Sequence, residues 1–281
     1  SSDVCSSDLT QLPTVPTAAY DASYNSSWND VYQPGTTQML DGIGGIVMYR
    51  AQWRKWVGYN TLVLNWGVKI STTQRSIKWV ELRQDQTTNV WSLYQEGIYT
   101  PDASTRWMGS IAMDDNGSIA LCYSKSSSAT GDYPSLGFTG RLKTDPLGTM
   151  SFAETIAFQG TSSSTGGCGN RFGDYAQTSI DPDGITFWHT GCYVSSGIKT
   201  RIYSFQIPVP TGIADNNSAA TNYEIFQSGN SFPPSSKNHF ARIYTPNEIH
   251  SNTKFRFAIQ IFVAQVRHFF EPVRYNLLKE H

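Results

Sequence analysis

Two arginines each precede an aromatic residue, in Arg106-Trp107 and in Arg171-Phe172. Both dipeptides stand just before the first predicted strand of a repeated unit. A guanidinium group binds a carboxylate through two parallel hydrogen bonds and also stacks on aromatic rings. Arg106, Trp107 and Arg171, joined by Arg50 or Arg54, would therefore suit a carboxylate or sugar ligand if they faced one pocket. The alternative is structural, because each arginine could fix its own loop by donating to backbone carbonyls or a nearby aspartate. Because an arginine occurs at the same position of two repeated units, the structural role is favoured.

Asp174 and Tyr175 follow the second arginine and extend the candidate site. We place Asp174 among the ligand-binding candidates and both residues among the catalytic candidates. Glycosidases use a carboxylic acid, or a tyrosine, for general acid or nucleophilic work. That chemistry needs a second carboxylate nearby, and Glu154 is the one that the sequence offers. The alternative is that Asp174 forms a salt bridge or caps a turn.

Aromatic residues make up 13% of the chain. Tryptophan side chains could stack on a sugar, although at strand spacing they are more typical of a core between sheets. The tryptophans concerned are Trp53, Trp56, Trp79, Trp91, Trp107 and Trp188.

Two aspartate-rich turns contain oxygen ligands of the kind that calcium prefers. One turn holds Asp114, Asp115 and Asn116, and the other holds Asp181 and Asp183. Neither turn has the spacing to a distal glutamate that a full calcium loop requires, so ordinary turn chemistry is the preferred interpretation. We therefore expect no cofactor and no metal, with calcium as the alternative.

The sequence lacks the complete motifs of several enzyme classes. It contains no Gly-x-Ser-x-Gly, no phosphate loop, no His-Glu-x-x-His and no Cys-x-x-Cys. His189 stands alone in a predicted strand, which is typical of a packed or surface residue. The spacing of Cys5, Cys122, Cys168 and Cys192 matches no zinc motif. If the protein is exported, one disulfide could form among the last three cysteines, and buried free thiols are the alternative.

The turn aspartates belong to hairpins that recur along the chain. Ser179–Trp188 is typical of a strand, a tight turn and a second strand, since Asp, Pro and Gly supply the turn. Ser110–Leu121 repeats this arrangement, and Leu40–Tyr49 is a weaker copy. A spacing of about 70 residues between similar hairpins indicates the blades of a β-propeller.

Alternation of apolar and polar residues predicts strands in three units after Met39. We therefore predict an all-β fold, with about three four-stranded blades of an incomplete β-propeller. The first unit contains Ile43–Trp53, Thr61–Trp66, Ser76–Arg83 and Val90–Tyr94. The second contains Ser110–Met113, Ile119–Ser124, Ser135–Leu142 and Ala153–Gln159. The third contains Ala176–Ile180, Thr186–Tyr193 and Thr200–Ile207, with no obvious fourth strand.

The chain divides into five segments. Residues 1–9 resemble a translated sequencing adaptor, so we expect the natural N-terminus and any signal peptide to be missing. Residues 10–35 are irregular or part of an earlier blade, and residues 36–207 hold the predicted blades. The composition of residues 208–236 predicts a linker. Residues 237–281 are either an added strand and helix or a frameshifted end of the gene.

Composition favours an exported, β-rich protein. Charged residues make up 15% of the 281 residues and the formal net charge is −1, so neither nucleic acid nor an anionic membrane is indicated as a partner. No apolar run reaches the roughly 18 residues that a membrane-spanning helix needs.

Short phrases of the central region carry a family resemblance. They are Tyr49–Arg54, Thr61–Asn65, Ile77–Arg83, Gly97–Pro101, Arg106–Met113, Tyr133–Leu136, Thr139–Leu142, Asp145–Met150 and Arg171–Tyr175. As a set, within residues 36–205, they resemble a family of bacterial extracellular β-propeller-like proteins, often found in long multidomain surface or secreted chains. That family has no well-defined activity, so the resemblance implies a fold and an extracellular or cell-surface location rather than a reaction.

A more distant resemblance is to the sialidase propeller, whose hairpins carry Ser or Thr, then Asp, then Gly, then an aromatic residue. Ser179, Asp181, Gly184, Thr186 and Trp188 match that order loosely, with extra spacing. In sialidases these hairpins are structural, so the resemblance implies a propeller without implying catalysis.

Together these features predict a non-catalytic extracellular β-propeller module for glycan or protein binding, or for structural spacing, at the bacterial surface. The expected partners are a glycan or a surface protein and the remainder of a larger multidomain chain, with no nucleic acid and no membrane span. The alternative is a sialidase-like glycoside hydrolase, which requires Arg106, Arg171 and Asp174 to converge within one pocket.

Overall fold

The computed structural model describes residues 13–24, 29–48, 51–166 and 170–208, and the backbone of two short strands beyond them. Within these ranges the chain forms strands, turns and irregular segments and contains no helix. The prediction of an all-β fold is therefore confirmed. Accordingly, the described residues include no helix with the length and apolar character needed to cross a membrane.

The strands form three sheets. Sheet 1 contains β1 (Gln52–Lys55), β2 (Tyr59–Lys69), β3 (Arg75–Asp85) and β4 (Trp91–Tyr99). Sheet 2 contains β5 (Thr105–Met113), β6 (Ile119–Ser126), β7 (Ser135–Arg141) and β8 (Thr155–Phe158). In both sheets consecutive strands pair antiparallel, as expected for strands that are joined by hairpin connections.

Sheet 3 begins with three consecutive antiparallel strands. They are β9 (Gln177–Ile180), β10 (Thr186–Val194) and β11 (Ile198–Gln206). Two further strands, β12 (Ile225–Gln227) and β13 (Ala241–Ile243), extend the sheet in the order β12-β13-β11-β10-β9. β13 pairs antiparallel with β11, and β12 pairs parallel with β13. The sequence pattern did not predict strands at these last two positions.

The predicted strand over Ile43–Trp53 is wrong for most of its length. The backbone of Ile43 has a φ of 40° and that of Gly45 a φ of 72°. Positive φ values interrupt an extended strand. Before Gln52 the described residues of this segment join β2 only through isolated bridges, and regular pairing begins at β1.

Sheet 2 is the middle layer of the structure, with sheet 1 on one face and sheet 3 on the other. Successive side chains of a strand point to opposite faces, so Ile111 and Leu121 face sheet 1 whereas Ala112 and Ala120 face sheet 3. Almost every residue of β5, β6 and β7 is buried as a result. The described strands stack as layers and do not close into a ring, so the propeller remains a prediction.

One hydrophobic core lies on each side of sheet 2. The core between sheets 1 and 2 contains Val63, Ile77, Trp79, Tyr99, Ile111, Met113, Ile119, Leu121 and Tyr123. The core between sheets 2 and 3 contains Ala112, Ala120, Cys122, Leu136, Phe138, Ala157, Phe187, Tyr193, Tyr203, Phe205 and Ile207. In this second core the rings of Phe138 and Phe205 stack with centroids 4.0 Å apart. Burial of one such side chain contributes about 1.5–3 kcal/mol.

His189 of β10 is buried in the second core, where its ring lies 5.3 Å from that of Tyr203. Its Nδ1 lies 2.9 Å from the Thr178 hydroxyl, and its Nε2 has no hydrogen-bond partner. The Thr178 hydroxyl donates to the carbonyl of Ser110, which assigns the proton of the neutral ring to Nδ1. Burial lowers the pKa of His189 to about 3. The protein therefore holds a neutral histidine in its core.

This histidine should make the stability depend on pH. The pKa of His189 lies below the value of about 6.5 of an unfolded chain, so between these values the unfolded state binds more protons than the folded state. The free energy of unfolding should then decrease as the pH falls, by about 2 kcal/mol between pH 7 and pH 5. Urea unfolding of the wild type and of His189→Gln at both values measures this contribution. Equal pH dependence of the two proteins would contradict it.

Candidate functional site

A recess opens to solvent where sheet 1 meets the end of sheet 2. It is a small surface depression, in which the space open to the centre of a water molecule is about 10 Å³. Its lining residues come from the β1–β2 turn, from β2, β3 and β4, from the end of β5, from the β5–β6 turn and from the segment after β7. They are Trp56, Tyr59, Thr61, Glu81, Arg83, Tyr94, Gln95, Met113, Gly117 and Lys143. We call this the aromatic recess.

Aromatic rings form one wall of the aromatic recess. Trp56 and Tyr59 flank the tight β1–β2 turn, and their rings stack with centroids 6.2 Å apart and planes inclined by 18°. Tyr94 of β4 is 37% exposed. The turn therefore presents half-buried rings to solvent, as aromatic residues do at many binding surfaces.

Arg83 is held between two rings of this wall. Its guanidinium carbon lies 4.5 Å from the ring centroid of Tyr59 and 3.2 Å from that of Tyr94. Its Nε donates to the Glu81 carboxylate over 2.7 Å, and the side chain is 23% exposed. Among the described residues, neither Nη group of Arg83 makes a hydrogen bond. Arg83 is therefore a fixed fork with two free donor groups.

A buried polar chain forms the floor beneath Arg83. The Gln95 amide donates to the Glu81 carboxylate and accepts from Arg141 of β7. Arg141 also donates to the carbonyls of Asp145 and other residues of the loop that follows β7. Burial lowers the pKa of Arg141. This chain joins sheet 1 to sheet 2 and fixes the position of the Glu81 carboxylate.

Lys143 adds a second cation at the rim. Its Nζ lies 5.1 Å from the ring centroid of Trp56, and the residue is exposed. Its stem lies against Gly117, where the backbone has a φ of 82° and a Cβ would come within 2.9 Å of the lysine Cδ. Glycine at this turn therefore provides both the backbone conformation and the space that the Lys143 side chain occupies.

The turn Asp114-Asp115-Asn116-Gly117 is stabilised by its own side chains. Asp114 Oδ1 accepts from the amides of Asn116 and Ser118, over 2.9 and 2.7 Å. Burial raises the pKa of Asp114. Asp115 pairs with Arg54, and its amide donates to the carbonyl of Gly184 in the corresponding turn of sheet 3. These turns thus connect the three sheets along one edge.

The second aspartate-rich turn shows the same use of carboxylates. Asp181 accepts from the amide of Asp183 and from the indole of Trp188, over 3.2 and 2.9 Å. Asp183 accepts from the amides of Ile185 and Thr186. Across the ranges that the structure describes, no group of three His, Cys, Asp or Glu residues is arranged to hold a metal ion.

Arg106, the first arginine singled out by the sequence, lies in the interior. Its side chain has no exposed area. Its N–H groups make five hydrogen bonds, two to each of the carboxylates of Asp102 and Glu154 and one to the carbonyl of Ser104. A guanidinium has five such donors, so none remains for a ligand. Burial alone would raise the pKa of Asp102, but the hydrogen bonds from Arg106 lower this pKa to about 2.

Trp107 points to the opposite face of β5 from Arg106. It is buried, and its ring packs on Phe172 with centroids 5.7 Å apart. Arg106 instead lies near the rings of Tyr99 and Tyr123 in the core next to sheet 1. Adjacent residues of a strand alternate in direction, so the Arg-Trp dipeptide cannot present both side chains to one ligand.

Arg171 forms a separate pair within its own loop. Its Nε donates to Asp174 Oδ2 over 2.7 Å, and the arginine side chain is 43% exposed. Tyr175 is exposed as well. Glu154 accepts from Arg106 and from the Tyr123 hydroxyl. The structure therefore distributes the predicted residues over two separate ion pairs, Arg106–Glu154 and Arg171–Asp174. Arg50 lies outside the described residues.

The cysteines that the structure describes are free thiols. Cys122 is buried in the core between sheets 2 and 3, and Cys192 is half-buried. Burial raises the pKa of Cys122 to about 12, so the thiol is protonated at neutral pH. Cys5 and Cys168 lie outside the described residues.

Sequence reasoning identified Trp56 only as one of several tryptophans and missed Tyr59, Arg83, Tyr94 and Lys143. The alternation Glu81-Leu82-Arg83 places the two charged residues on one face of β3. However, the register between β3 and β4 shifts between Glu81 and Leu82 and leaves Tyr94 without a partner in β3, and the sequence pattern does not indicate this bulge. The part contributed by Lys143 comes from another sheet, so no local pattern indicates it.

Comparisons with known proteins do not assign an activity to the aromatic recess. No family model matches the chain, and a search of curated proteins finds no match.

The two arginine pairs should differ greatly in their contribution to stability. Arg106→Leu should lower the free energy of unfolding by about 3–5 kcal/mol, because it removes a guanidinium with no exposed area and leaves the Glu154 carboxylate, which is 16% exposed, without its cation. Arg171→Leu is the comparison and should cost less, about 1–2 kcal/mol, since the Arg171 side chain is 43% exposed, although that of Asp174 is 11% exposed. Chemical denaturation of both variants measures the difference. Similar losses would show that the burial of Arg106 has been misinterpreted.

Proposed function

We propose that this chain is a non-catalytic, extracellular module of the β-propeller type that binds a glycan at the aromatic recess. The observation that carries the proposal is the combination of the half-buried ring of Trp56 and the exposed ring of Tyr94 with the Nη groups of Arg83, which make no hydrogen bond to a described residue. Sugar binding commonly combines apolar contact with a ring and hydrogen bonds to a fixed polar group.

The layered arrangement of the sheets supports the propeller part of the proposal. Sheets 1 and 2 are each a four-stranded antiparallel meander, and sheet 3 begins in the same way. Each sheet packs its face on the next, and corresponding turns lie side by side at Asp115 and Gly184. Propeller blades are sheets of this kind in radial repetition.

The carboxylates support binding rather than hydrolysis. Glu81 is the single carboxylate in the lining of the aromatic recess, is 2% exposed and accepts from both Arg83 and Gln95. A glycosidase of the usual kind needs two carboxylates that flank the scissile bond. The arginine–acid pairs elsewhere, Arg106–Glu154 and Arg171–Asp174, give the hydrolase alternative no comparable support.

An extracellular location is supported by composition. The chain has 15% charged and 13% aromatic residues, and Ser, Thr and Gly are plentiful. This profile favours an exported β-rich domain over a cytosolic helical enzyme. The proposed partners are accordingly a surface glycan and the remainder of a larger chain.

Glycan binding should depend on Trp56 and not on Trp53, which lies nearby in the chain but outside the recess. The 281-residue chain should bind members of a glycan array, and Trp56→Ala should weaken the affinity for the best ligand at least about tenfold, equivalent to about 1.4 kcal/mol of lost ring contact. Titration calorimetry with that ligand gives the affinities.

Trp53→Ala is the matched control, because Trp53 is 54% exposed in β1 but does not line the recess. It should leave the affinity unchanged. Failure of the wild type to bind any glycan would leave the spacer function, and equal losses in the two variants would place binding elsewhere.

A further inference from the structure

The lining of the aromatic recess has an excess of positive charge. Its ionisable groups with a formal charge at neutral pH are Arg83, Lys143 and Glu81, which are two cations and one carboxylate. The whole chain has a formal net charge of −1, so this excess is local. A recess with such a balance attracts an anionic group more than a neutral one.

The hydrogen bond that Arg83 makes to Glu81 does not use the two Nη groups, which are the part of a guanidinium that binds a carboxylate. Nε is occupied by Glu81, and the rings of Tyr59 and Tyr94 fix the plane of the group from the sides. The two Nη groups make no hydrogen bond among the described residues. Two parallel Nη–H donors match the two oxygens of a carboxylate, and a donor held in place loses little entropy on binding.

Lys143 is the second anion-binding group, and it differs from Arg83 in its freedom. It is exposed and forms no ion pair with any described residue, and its contact is with the ring of Trp56. Trp56 in turn stacks on Tyr59, which contacts Arg83. The two cations therefore lie on one continuous aromatic surface, so a sugar that contacts the rings has cations near its charged substituent.

We infer that the glycan bound at the aromatic recess is an acidic saccharide, whose carboxylate is bound by the Nη groups of Arg83 and by Lys143. This inference rests on the proposed glycan-binding function and adds the class of ligand to it. Tyr94 and Trp56 contact the apolar face of the sugar ring, while the carboxylate replaces water at the arginine fork. A neutral sugar has no carboxylate and therefore makes only the contact with the aromatic rings.

The test compares acidic oligosaccharides with their own methyl esters. The probes are trigalacturonic acid, a hyaluronan tetrasaccharide and sialyllactose, each with its carboxylates free or esterified. Esterification keeps the sugar ring and removes the charge, so at least one acid should bind the wild-type chain about tenfold or more tightly than its ester. The preference should diminish between about 0.05 M and 0.5 M salt, because the Debye length falls below about 10 Å.

Variants of two exposed lysines identify the site. Lys143→Gln should weaken binding of the acid about fivefold and leave binding of the ester unchanged. Lys199→Gln in β11 removes the same charge outside the recess and should change neither affinity. Because Lys143 is exposed, its variant should fold, and an unchanged midpoint of urea unfolding verifies this.

The outcomes separate this inference from the proposed function. Equal binding of acids and esters, or binding of neutral glycans alone on the array, would overturn the acidic ligand and retain glycan binding. Equal effects of Lys143→Gln and Lys199→Gln would overturn the assignment of the carboxylate to the recess. Absence of binding to every glycan would overturn both proposals together.

Discussion

The middle sheet is buried on both faces, and this constraint determines how the structure uses its charged residues. A polar group at such a sheet must find its partners inside the protein. Arg106 lies at the start of β5 and Arg141 at the end of β7, which are opposite ends of sheet 2. Both point toward sheet 1, where Arg106 meets Tyr99 and Arg141 meets Gln95. Two buried guanidinium groups thus fasten the first two sheets to each other at both ends.

The second of these attachments creates the conditions for the aromatic recess. Arg141 donates to Gln95, and Gln95 donates to Glu81, so the Glu81 carboxylate, which is 2% exposed, is hydrogen-bonded from the interior. Glu81 then takes the Nε of Arg83. The orientation of the arginine at the surface is therefore set from the interior, through a chain that begins in another sheet. A surface side chain with this support is held more rigidly than a loop residue would be.

The alternation of apolar and polar residues identified the strands of sheets 1 and 2, because side-chain direction in a strand depends on the next residue but one. The same reasoning failed at Ile43, where positive φ interrupts the pattern, and missed β12 and β13, which carry no clear alternation. Arg106 and Arg171 look equivalent in the sequence. They differ in the structure because their environment is set by residues 48 and 3 positions away, respectively. The recess depends on contacts between sheets, which local patterns do not encode.

The arginines of this protein differ chiefly in how many of their donors the fold itself consumes. Arg106 uses all five on Asp102, Glu154 and a carbonyl, so it can only hold structure together. With the described residues Arg83 uses Nε alone and keeps two Nη groups at a surface lined by tyrosines. Each of these two arginines lies near two tyrosine rings, so neither the residue type nor the aromatic neighbours distinguish them. Whether an arginine could bind a ligand therefore depends on how many of its N–H donors the fold leaves unbonded. These donors can be counted only when the hydrogen-bond partners from other strands are known.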